Sequence, residues 1–469
     1  MRQLGPGLRR LAVATALACA IAYVGGGVVA GVAEGASPVP PISWTRSLPV
    51  DSTNRGISLL GGTEVRALAA MDGTLYAAIG YWRDSRQSDP GLPGPQVLAL
   101  DSPHASWRVD GQFDDRMGGG KHRYMAIGAL QAVQFHSDRN GQALSPPRSV
   151  LLASMWDREG SLKVFSKNGR EAKWANTDLT ATAPAHSQIR SFGFHRDTVT
   201  GVERAFAGTN PSGIVSGAYD ASGSGGIRWD SAPEPGLPTL VRAQRVMSFA
   251  ECDGKFYATV GWEIYQRQDG PSPSWRKVYS FGENLPFNGS GGLRGLTAID
   301  DRSGQGQQLL VVAEGQEGQI LRISPRDGFR AVTELDINDA LTKVWGTPVI
   351  AGIVAYNDMT LYPDPGDSCP SLLIGGYDAK TPYASNAIGG NNKAPGAYYL
   401  IRDCQGHYVS REIFDPSISP KPPLVATRAI IRSPFSSDPP GTLYAGGFDA
   451  GNTQPHNSAW LYRGVPSPH

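Results

Sequence analysis

Short apolar segments that end in small residues recur along the whole chain. Repeated units at a regular spacing are typical of repeat architectures, in which each unit buries its apolar faces against its neighbours. The recurring segments are Leu75–Ala78, Leu151–Ser154, Ala205–Gly208, Phe256–Thr259, Leu310–Ala313, Leu372–Gly375 and Leu443–Gly446. The chain therefore predicts seven units, each built around one of these strands.

A further apolar segment precedes each of these strands, and another follows it. In the first unit the two segments are Val65–Ala70 and Val97–Leu100, and in the sixth they are Ile350–Tyr356 and Ala397–Ile401. Alternating apolar residues and turn sequences such as Asp72-Gly73 favour antiparallel strands. We therefore expect each unit to be a small antiparallel sheet whose innermost strand is the preceding segment.

A fourth segment, often with tryptophan, follows in most units, as in Trp107–Val109 and Trp275–Val278. The seventh unit stops at Gly464 without one, whereas Ile42–Leu48 near the other end resembles Ser274–Val278. We predict an all-β, seven-bladed β-propeller of four-stranded antiparallel blades, whose ring is closed by an N-terminal strand that completes the last blade. The alternative is two or three unrelated β-sandwiches.

The composition agrees with such a fold. Of the 469 residues 40% are hydrophobic, and 58 glycines and 36 prolines suit many short strands joined by turns. Lys and Arg number 43 against 42 Asp and Glu, a net charge of +1. This balance gives no reason to expect a polyanion as partner, so we predict no nucleic-acid binding. We also expect a monomer.

The N-terminal region has the pattern of an export signal. Arg2, Arg9 and Arg10 precede the apolar run from Leu11 to Ala33. We assign residues 1–36 to a signal peptide or N-terminal membrane anchor and residues 37–469 to a single propeller domain. Because the run is long enough to span a bilayer if it is not cleaved, the sequence leaves a secreted or periplasmic form and a membrane-anchored form open.

Three segments are degenerate copies of a Ser-x-Asp-x-Gly-x-x-Trp turn: Asp101–Trp107, Asp220–Trp229 and Asp269–Trp275. On these turns and on its repeats, the chain from Ile42 to Gly464 resembles exported bacterial propellers related to sialidases and other Asp-box repeat proteins. The arginine triad, acid and tyrosine nucleophile of sialidases do not map onto this sequence residue by residue. The resemblance therefore implies the fold and not the activity.

The cysteines predict one structural disulfide. Cys369 enters the second strand of the sixth unit and Cys404 leaves its third strand, so an antiparallel hairpin would place them opposite each other. Cys252 is then left over as a small buried residue. No zinc or EF-hand spacing occurs, and no cofactor is predicted, although calcium held by scattered loop carboxylates is left open.

One face of the predicted propeller collects the candidate ligand-binding residues. Arginines occupy the second position of four innermost strands, and aromatic and acidic residues end several second strands; these residues are Arg66, Arg190, Arg294, Arg428, Trp82, Trp156, Asp157, Tyr377, Asp378 and Asp449. The same face carries the long segments 81–95, 114–123, 377–395 and 448–457. At the mouth of the central channel, arginines and aromatic rings together suit a carboxylated sugar or another small anion. In the alternative interpretation, each arginine pairs with an acid and fixes the packing of blades.

These residues favour an extracytoplasmic binding or scaffold protein that recognises a glycan, a small anion or a protein partner on the loop-rich face. The alternative is a glycan-active enzyme, a sialidase-like hydrolase or a lyase, with Asp157, Asp378 and Asp449 as acids. A third hypothesis is an assembly factor for a membrane complex. Gly118–Lys121 lacks the context of a phosphate-binding loop, and no Gly-x-Ser-x-Gly element indicates a hydrolase triad.

Overall fold

The computed structural model describes residues 39–48, 62–81, 93–180, 187–210, 213–238, 244–282, 291–301, 303–353, 359–362, 371–374, 378–380, 397–419, 421, 424, 426–448 and 459–467. Within these ranges the protein consists almost wholly of β-strands joined by turns, with one short α-helix. The prediction of an all-β protein is confirmed.

The first half of the described chain forms short antiparallel strands in sequence order. They are β1 (Ile42–Arg46), β2 (Glu64–Met71), β3 (Thr74–Gly80), β4 (Gln96–Leu100), β5 (Arg108–Gln112), β6 (Tyr124–Ser137), β7 (Ala143–Asp157), β8 (Lys163–Asn168), β9 (Ala175–Asp178), β10 (Gln188–Arg196), β11 (Glu203–Asn210), β12 (Gly213–Tyr219) and β13 (Ile227–Trp229).

The second half continues in the same way. It contains β14 (Val246–Cys252), β15 (Lys255–Val260), β16 (Glu263–Gln268), β17 (Ser274–Ser280), β18 (Leu293–Asp300), β19 (Gln307–Ala313), β20 (Gln319–Ser324), β21 (Arg330–Asp336), α1 (Ile337–Trp345), β22 (Ala351–Ile353), β23 (Met359–Tyr362), β24 (Ser371–Ile374), β25 (Asp378–Lys380), β26 (Tyr398–Arg402), β27 (Tyr408–Glu412), β28 (Ala426–Arg432), β29 (Leu443–Phe448) and β30 (Trp460–Pro466).

The strands form four-stranded antiparallel sheets arranged as a β-propeller. Four of these sheets use consecutive strands, namely β6–β9, β10–β13, β14–β17 and β18–β21, and a fifth has the order β23-β24-β26-β27. The innermost strands of neighbouring sheets lie side by side. Strand β2 packs against β6, β6 against β10, β10 against β14, β14 against β18, and β28 against β2; β2 and β28 belong to a further, larger sheet. Apolar side chains fill the space between neighbouring sheets, as where Tyr76 and Tyr124 share one cluster.

The prediction of seven separate blades, closed by an N-terminal strand, is wrong. Among the described residues six sheets have four or more strands, because Glu64 pairs with Phe448 and joins the first and last strands of the chain into one eight-stranded sheet. In that sheet β1 pairs with β30, from Ile42 opposite Pro466 to Arg46 opposite Tyr462. The N-terminal strand is thus the outer edge of the eight-stranded sheet and not the fourth strand of a separate closing blade.

The predicted inner strand Ile350–Tyr356 is also wrong. The first strand of its sheet is β23, Met359–Tyr362, whereas Ala351–Ile353 pairs with β25 in a separate two-stranded sheet. The physical reason is that Gly352 exchanges both backbone hydrogen bonds with Gly315, at 2.7 and 3.0 Å, which holds this segment beside the preceding sheet.

The helix α1 was not predicted from the periodicity of the strands. Asp336 caps it by accepting a hydrogen bond from the Asp339 amide at 2.9 Å, and Gly346 ends it in the left-handed conformation. Its buried face consists of Ile337, Ala340 and Leu341. These residues pack between the sheet β18–β21 and the sheet that begins with β23. The three buried residues follow a helical i, i+3, i+4 spacing, but the helix has only nine residues and follows directly on strand β21.

Hydroxyl groups connect the innermost strands of neighbouring sheets. Ser154 Oγ accepts from the Ala129 amide at 2.9 Å and donates to the Ile189 carbonyl at 2.8 Å. Ser191 Oγ donates to the Val246 carbonyl at 2.9 Å in the same way. These buried bonds fix the spacing of the inner strands around the axis, because each leaves a costly unsatisfied group if the strands separate.

Buried ion pairs join the outer parts of neighbouring sheets. In three places a cation on the third strand of one sheet contacts a carboxylate of the preceding sheet, or of the segment directly after that preceding sheet. The pairs are Lys167 with Asp110 at 2.6 Å, Arg267 with Glu234 at 3.0 Å and Arg402 with Glu334 at 2.7 Å. All six side chains are less than a tenth exposed. Removing one partner of such a pair lowers the free energy of unfolding strongly, because the other charge is left buried without a counter-charge.

The predicted signal segment lies outside the described residues, so export and the domain division remain predictions. In the part of the chain that the structure describes, no helix has both the length and the apolar character needed to cross a bilayer.

Candidate functional site

Three of the four predicted arginines lie at irregularities of the innermost strands. The register skips one residue between Val65 and Ala67, between Ile189 and Ser191, and between Thr427 and Ala429, which leaves Arg66, Arg190 and Arg428 as the extra residues. Arg294 is the last paired residue before the irregularity of β18. A β-bulge redirects the side chain of its extra residue, so these arginines leave the alternation of their strands.

Glu64 brings two of these arginines together. Its carboxylate lies 3.1 Å from Arg66 Nη1 and 3.8 Å from Arg428 Nε, and the side chain is fully buried. Arg428 belongs to β28 and Glu64 to β2, so the second pair connects two innermost strands. We call Arg66, Arg190, Arg294 and Arg428, with the carboxylates that they contact, the arginine mouth.

Glu314 repeats this arrangement elsewhere in the arginine mouth. Its buried carboxylate contacts Arg294 Nε and lies 3.0 Å from Arg245 Nη2. Arg245 directly precedes β14 and Glu314 directly follows β19, so the pair connects two neighbouring sheets. One carboxylate again orients two guanidinium groups.

Arg190 meets an aromatic ring instead. Its guanidinium carbon lies 5.6 Å from the centre of the Trp156 ring, a cation–π distance. Trp156 is the penultimate residue of β7, where the predicted aromatic and acidic pair stands. The structure thus brings together two of the residues named in the sequence analysis, Arg190 and Trp156.

Asp157 is fully buried and tied into the protein by several donors. Arg123 approaches its Oδ2 at 2.8 Å, Ser161 Oγ donates to the same oxygen, and the Glu159 amide donates to Oδ1 at 2.8 Å. Burial raises the pKa of the Asp157 carboxyl, but the bonds from Arg123 and Ser161 outweigh burial, so the pKa lies below its usual range. This carboxylate is charged and fixed in position.

We expect Asp157→Asn to lower the free energy of unfolding by about 2 kcal/mol, because a buried charge-assisted bond to Arg123 is lost. Urea denaturation measures the change. The matched control Asp327→Asn removes a carboxylate that is 65% exposed and should change stability by less than about 0.5 kcal/mol. Equal effects of the two substitutions would contradict the buried role of Asp157.

The segment 114–123 is a compact turn beside the arginine mouth. Arg116 pairs with His122 in an isolated bridge, and Tyr124 donates to Asp115 at 3.0 Å. The buried His122 ring stacks on Tyr81 with centres 5.5 Å apart. Within this segment His122 is buried, whereas most of residues 114–121 are exposed.

Several predicted site residues cannot be placed. Trp82, Tyr377, Asp449 and Cys369 lie outside the described residues, and Asp378 is described only as the first backbone position of β25. The Cys369–Cys404 disulfide therefore stays a prediction. Cys252 is free and buried, as predicted, and burial raises the pKa of its thiol to about 12. Over the described ranges, no group of three or more His, Cys, Asp or Glu is arranged to hold a metal.

Sequence reasoning missed the partners of the arginines. Glu64, Arg245 and Glu314 were not among the predicted residues, although Glu64 stands only two positions before Arg66. That spacing is the one local signal for a pairing. Nothing in the sequence indicates that Glu314, twenty residues after Arg294, contacts it.

No protein-family model matches the chain. No curated protein matches it either. Solved structures with a similar chain trace include one chain from a crystal structure of the mitotic checkpoint complex, with a TM-score of 0.44 at 10% identity over 93% of this chain and 98% of that one. A lectin from Burkholderia pseudomallei has a TM-score of 0.48 at 13% identity over 83% of this chain and 94% of its own. Because both scores are low, neither likeness says anything about function.

Proposed function

We propose that the protein is an extracytoplasmic binding propeller that recognises an anionic ligand, of the class of carboxylated glycans, at the arginine mouth. The observation that carries this proposal is the placement of Arg66, Arg190 and Arg428 on bulges of three innermost strands. Bulges are over-represented next to functional sites because they redirect a side chain out of the sheet pattern.

The chemistry of the mouth fits a carboxylate. A guanidinium has five N–H donors in a fixed fork, which matches the two oxygens of a carboxylate. Glu64 contacts Arg66 and Arg428, and Glu314 contacts Arg245 and Arg294, so buried acids hold the guanidinium groups in position. The Trp156 ring, with the Arg190 guanidinium over it, adds an aromatic group to the mouth.

Asp157 does not suit the role of a general acid. A general acid in glycoside hydrolysis needs a pKa raised toward neutrality, whereas the pKa of Asp157 is lowered and its oxygens already accept from Arg123, Ser161 and Glu159. We therefore propose binding, and not turnover, as the function.

Titration calorimetry with an oligosaccharide that contains uronic acid, and with its carboxyl-reduced counterpart, tests the proposal. We expect only the acid form to bind, and its affinity to fall about tenfold in Arg66→Lys and in Arg428→Lys, because lysine keeps the charge but loses the fork. The control Arg148→Lys changes an exposed residue of β7 and should leave affinity unchanged. If neutral and acidic sugars bind equally, or if the mouth variants bind as the control does, the proposal is wrong.

A further inference from the structure

A cavity of about 440 Å³ lies between the innermost strands β2, β6, β10 and β14. Cavities of this size hold small organic molecules. Arg190 lines it, and so do residues from the middle and far parts of these strands. Because Arg190 belongs to the arginine mouth, the cavity adjoins that mouth, and we call it the channel.

Alanines make up most of the lining that β2 and β6 contribute, beside Leu68, Leu130 and Gln131. In β2 and β6 the lining residues include Ala70 and Ala132, which pair with Leu75 and Leu151 at the start of the repeated apolar segments. In β10 the residue at the same register, opposite Ala205, is Phe194. The alanines on β2 and β6 therefore leave the space that makes the channel.

The strands β10 and β14 contribute aromatic rings to the lining. Phe194 and Phe249 line the channel and are partly exposed, and Phe249 stacks on Phe256 with ring centres 5.5 Å apart. Gly193 makes room for these rings, because a Cβ there would lie 2.7 Å from Phe249 Cγ. The channel is thus lined by aromatic rings from β10 and β14 and by alanines from β2 and β6.

The polar groups near the two ends of the channel differ. At the mouth end Arg190 supplies a positive charge, with its guanidinium over the Trp156 ring. At the far end Glu251 lies 2.8 Å from His195 Nδ1, and His195 Nε2 lies 3.1 Å from Asp269. The carboxylate of Glu251 thus faces His195, and Arg190 is a cation that lines the channel.

We infer that the channel binds an aromatic monoanion, with its ring against Phe194 and Phe249 and its anionic group toward Arg190. Apolar burial favours the ring in the channel, and a charge-assisted bond favours the anion at Arg190. This site is distinct from the glycan site proposed at the arginine mouth. The two proposals share one residue, Arg190.

Two fluorescent probes test the channel on the purified full chain. The aromatic sulfonate 1-anilinonaphthalene-8-sulfonate carries the ring and the anion, whereas N-phenyl-1-naphthylamine carries the ring alone. We expect saturable one-to-one binding of the sulfonate. Arg190→Met should lower its affinity about tenfold and leave the neutral probe unchanged, and the control Arg148→Met, at an exposed position, should affect neither probe.

Filling the channel supplies the second arm. Ala132→Phe and Ala70→Phe each place, on β6 or β2, the phenylalanine that β10 has at the same register, Phe194. Each substitution should lower the affinity of both probes more than tenfold. Ala143→Phe, at an exposed position of β7, is the matched control. If one filling variant fails to fold, the other still gives the result.

Three outcomes would overturn the inference: no saturable sulfonate binding, unchanged probe affinity in the filling variants, or equal effects of Arg190→Met and Arg148→Met. The two proposals fail separately, because Arg66→Lys and Arg428→Lys test the glycan mouth and should leave the affinity of the sulfonate probe unchanged.

Discussion

Replacing Arg267 with methionine is expected to lower the free energy of unfolding by about 4 kcal/mol, the largest effect of any single substitution considered. The Arg267 side chain is fully buried and reaches Glu234 at 3.0 Å, Asp197 at 2.8 Å and Asp269 at 2.6 Å. Burial lowers the pKa of Arg267, but these carboxylates outweigh burial and raise it overall. Methionine would leave three carboxylates buried without the cation that they share. Urea denaturation at pH 7 measures the loss.

A control and a rescue make this test specific. Arg276→Met removes a guanidinium from an exposed position of the next strand and should cost less than about 0.5 kcal/mol. In the double variant Arg267→Met/Glu234→Leu part of the loss should return, because one buried carboxylate is removed with the cation. A cost below about 1 kcal/mol for Arg267→Met would show that the cluster is hydrated and contributes little.

Glu334→Gln is expected to cost about 3 kcal/mol at pH 7, since it breaks a buried network by removing one charge. Glu334 accepts from Arg402 at 2.7 Å, from Arg322 at 2.7 Å and from the Tyr408 hydroxyl at 2.8 Å. The matched control is Glu171→Gln, at a side chain that is 92% exposed. Urea denaturation of both variants beside the parent gives the difference.

The difference in stability between the parent and Glu334→Gln should depend on pH. Burial raises the pKa of Glu334, but the bonds from Arg402 and Tyr408 outweigh burial, so the pKa in the folded protein lies below its usual range. A lowered pKa means that the carboxylate stabilises the fold above the unfolded pKa of about 4.3, and that this contribution disappears as the pH falls through the folded pKa. The gap between the parent and Glu334→Gln should stay constant from about pH 8 to pH 5 and narrow below about pH 4. A gap that stays the same at pH 3 would assign the loss to packing instead of charge.

The repeat allowed most strands to be predicted. Segments such as Leu75–Ala78 and Leu310–Ala313 lie in strands β3 and β19, because apolar runs bounded by turn residues have few alternatives. The number of sheets was not predictable in this way. One backbone pairing, between Glu64 and Phe448, decides whether two units count as separate sheets, and no local sequence signal marks that pairing.

The candidate site was predicted in part for a similar reason. The arginines stand out because they recur at one position of the repeat, and the contact of Arg190 with Trp156 emerges only in the structure. Their acidic partners come from distant positions, such as Glu314 with Arg245, and follow only from the packing of sheets. The bulges that turn Arg66 and Arg428 aside interrupt an alternation that the sequence alone shows as continuous.

The pairing of β1 with β30 also bears on how the protein is made. Among the described strands β1 is synthesised first and β30 last. Strand β1 therefore has no pairing partner until nearly all of the described chain has been made. Such a distant contact forms late, because the loop between its ends must first be closed by the folding of everything in between. Until then a growing chain carries an unpaired strand that can add to the sheet edge of another molecule, which is a reason to expect misassembly in truncated or stalled chains.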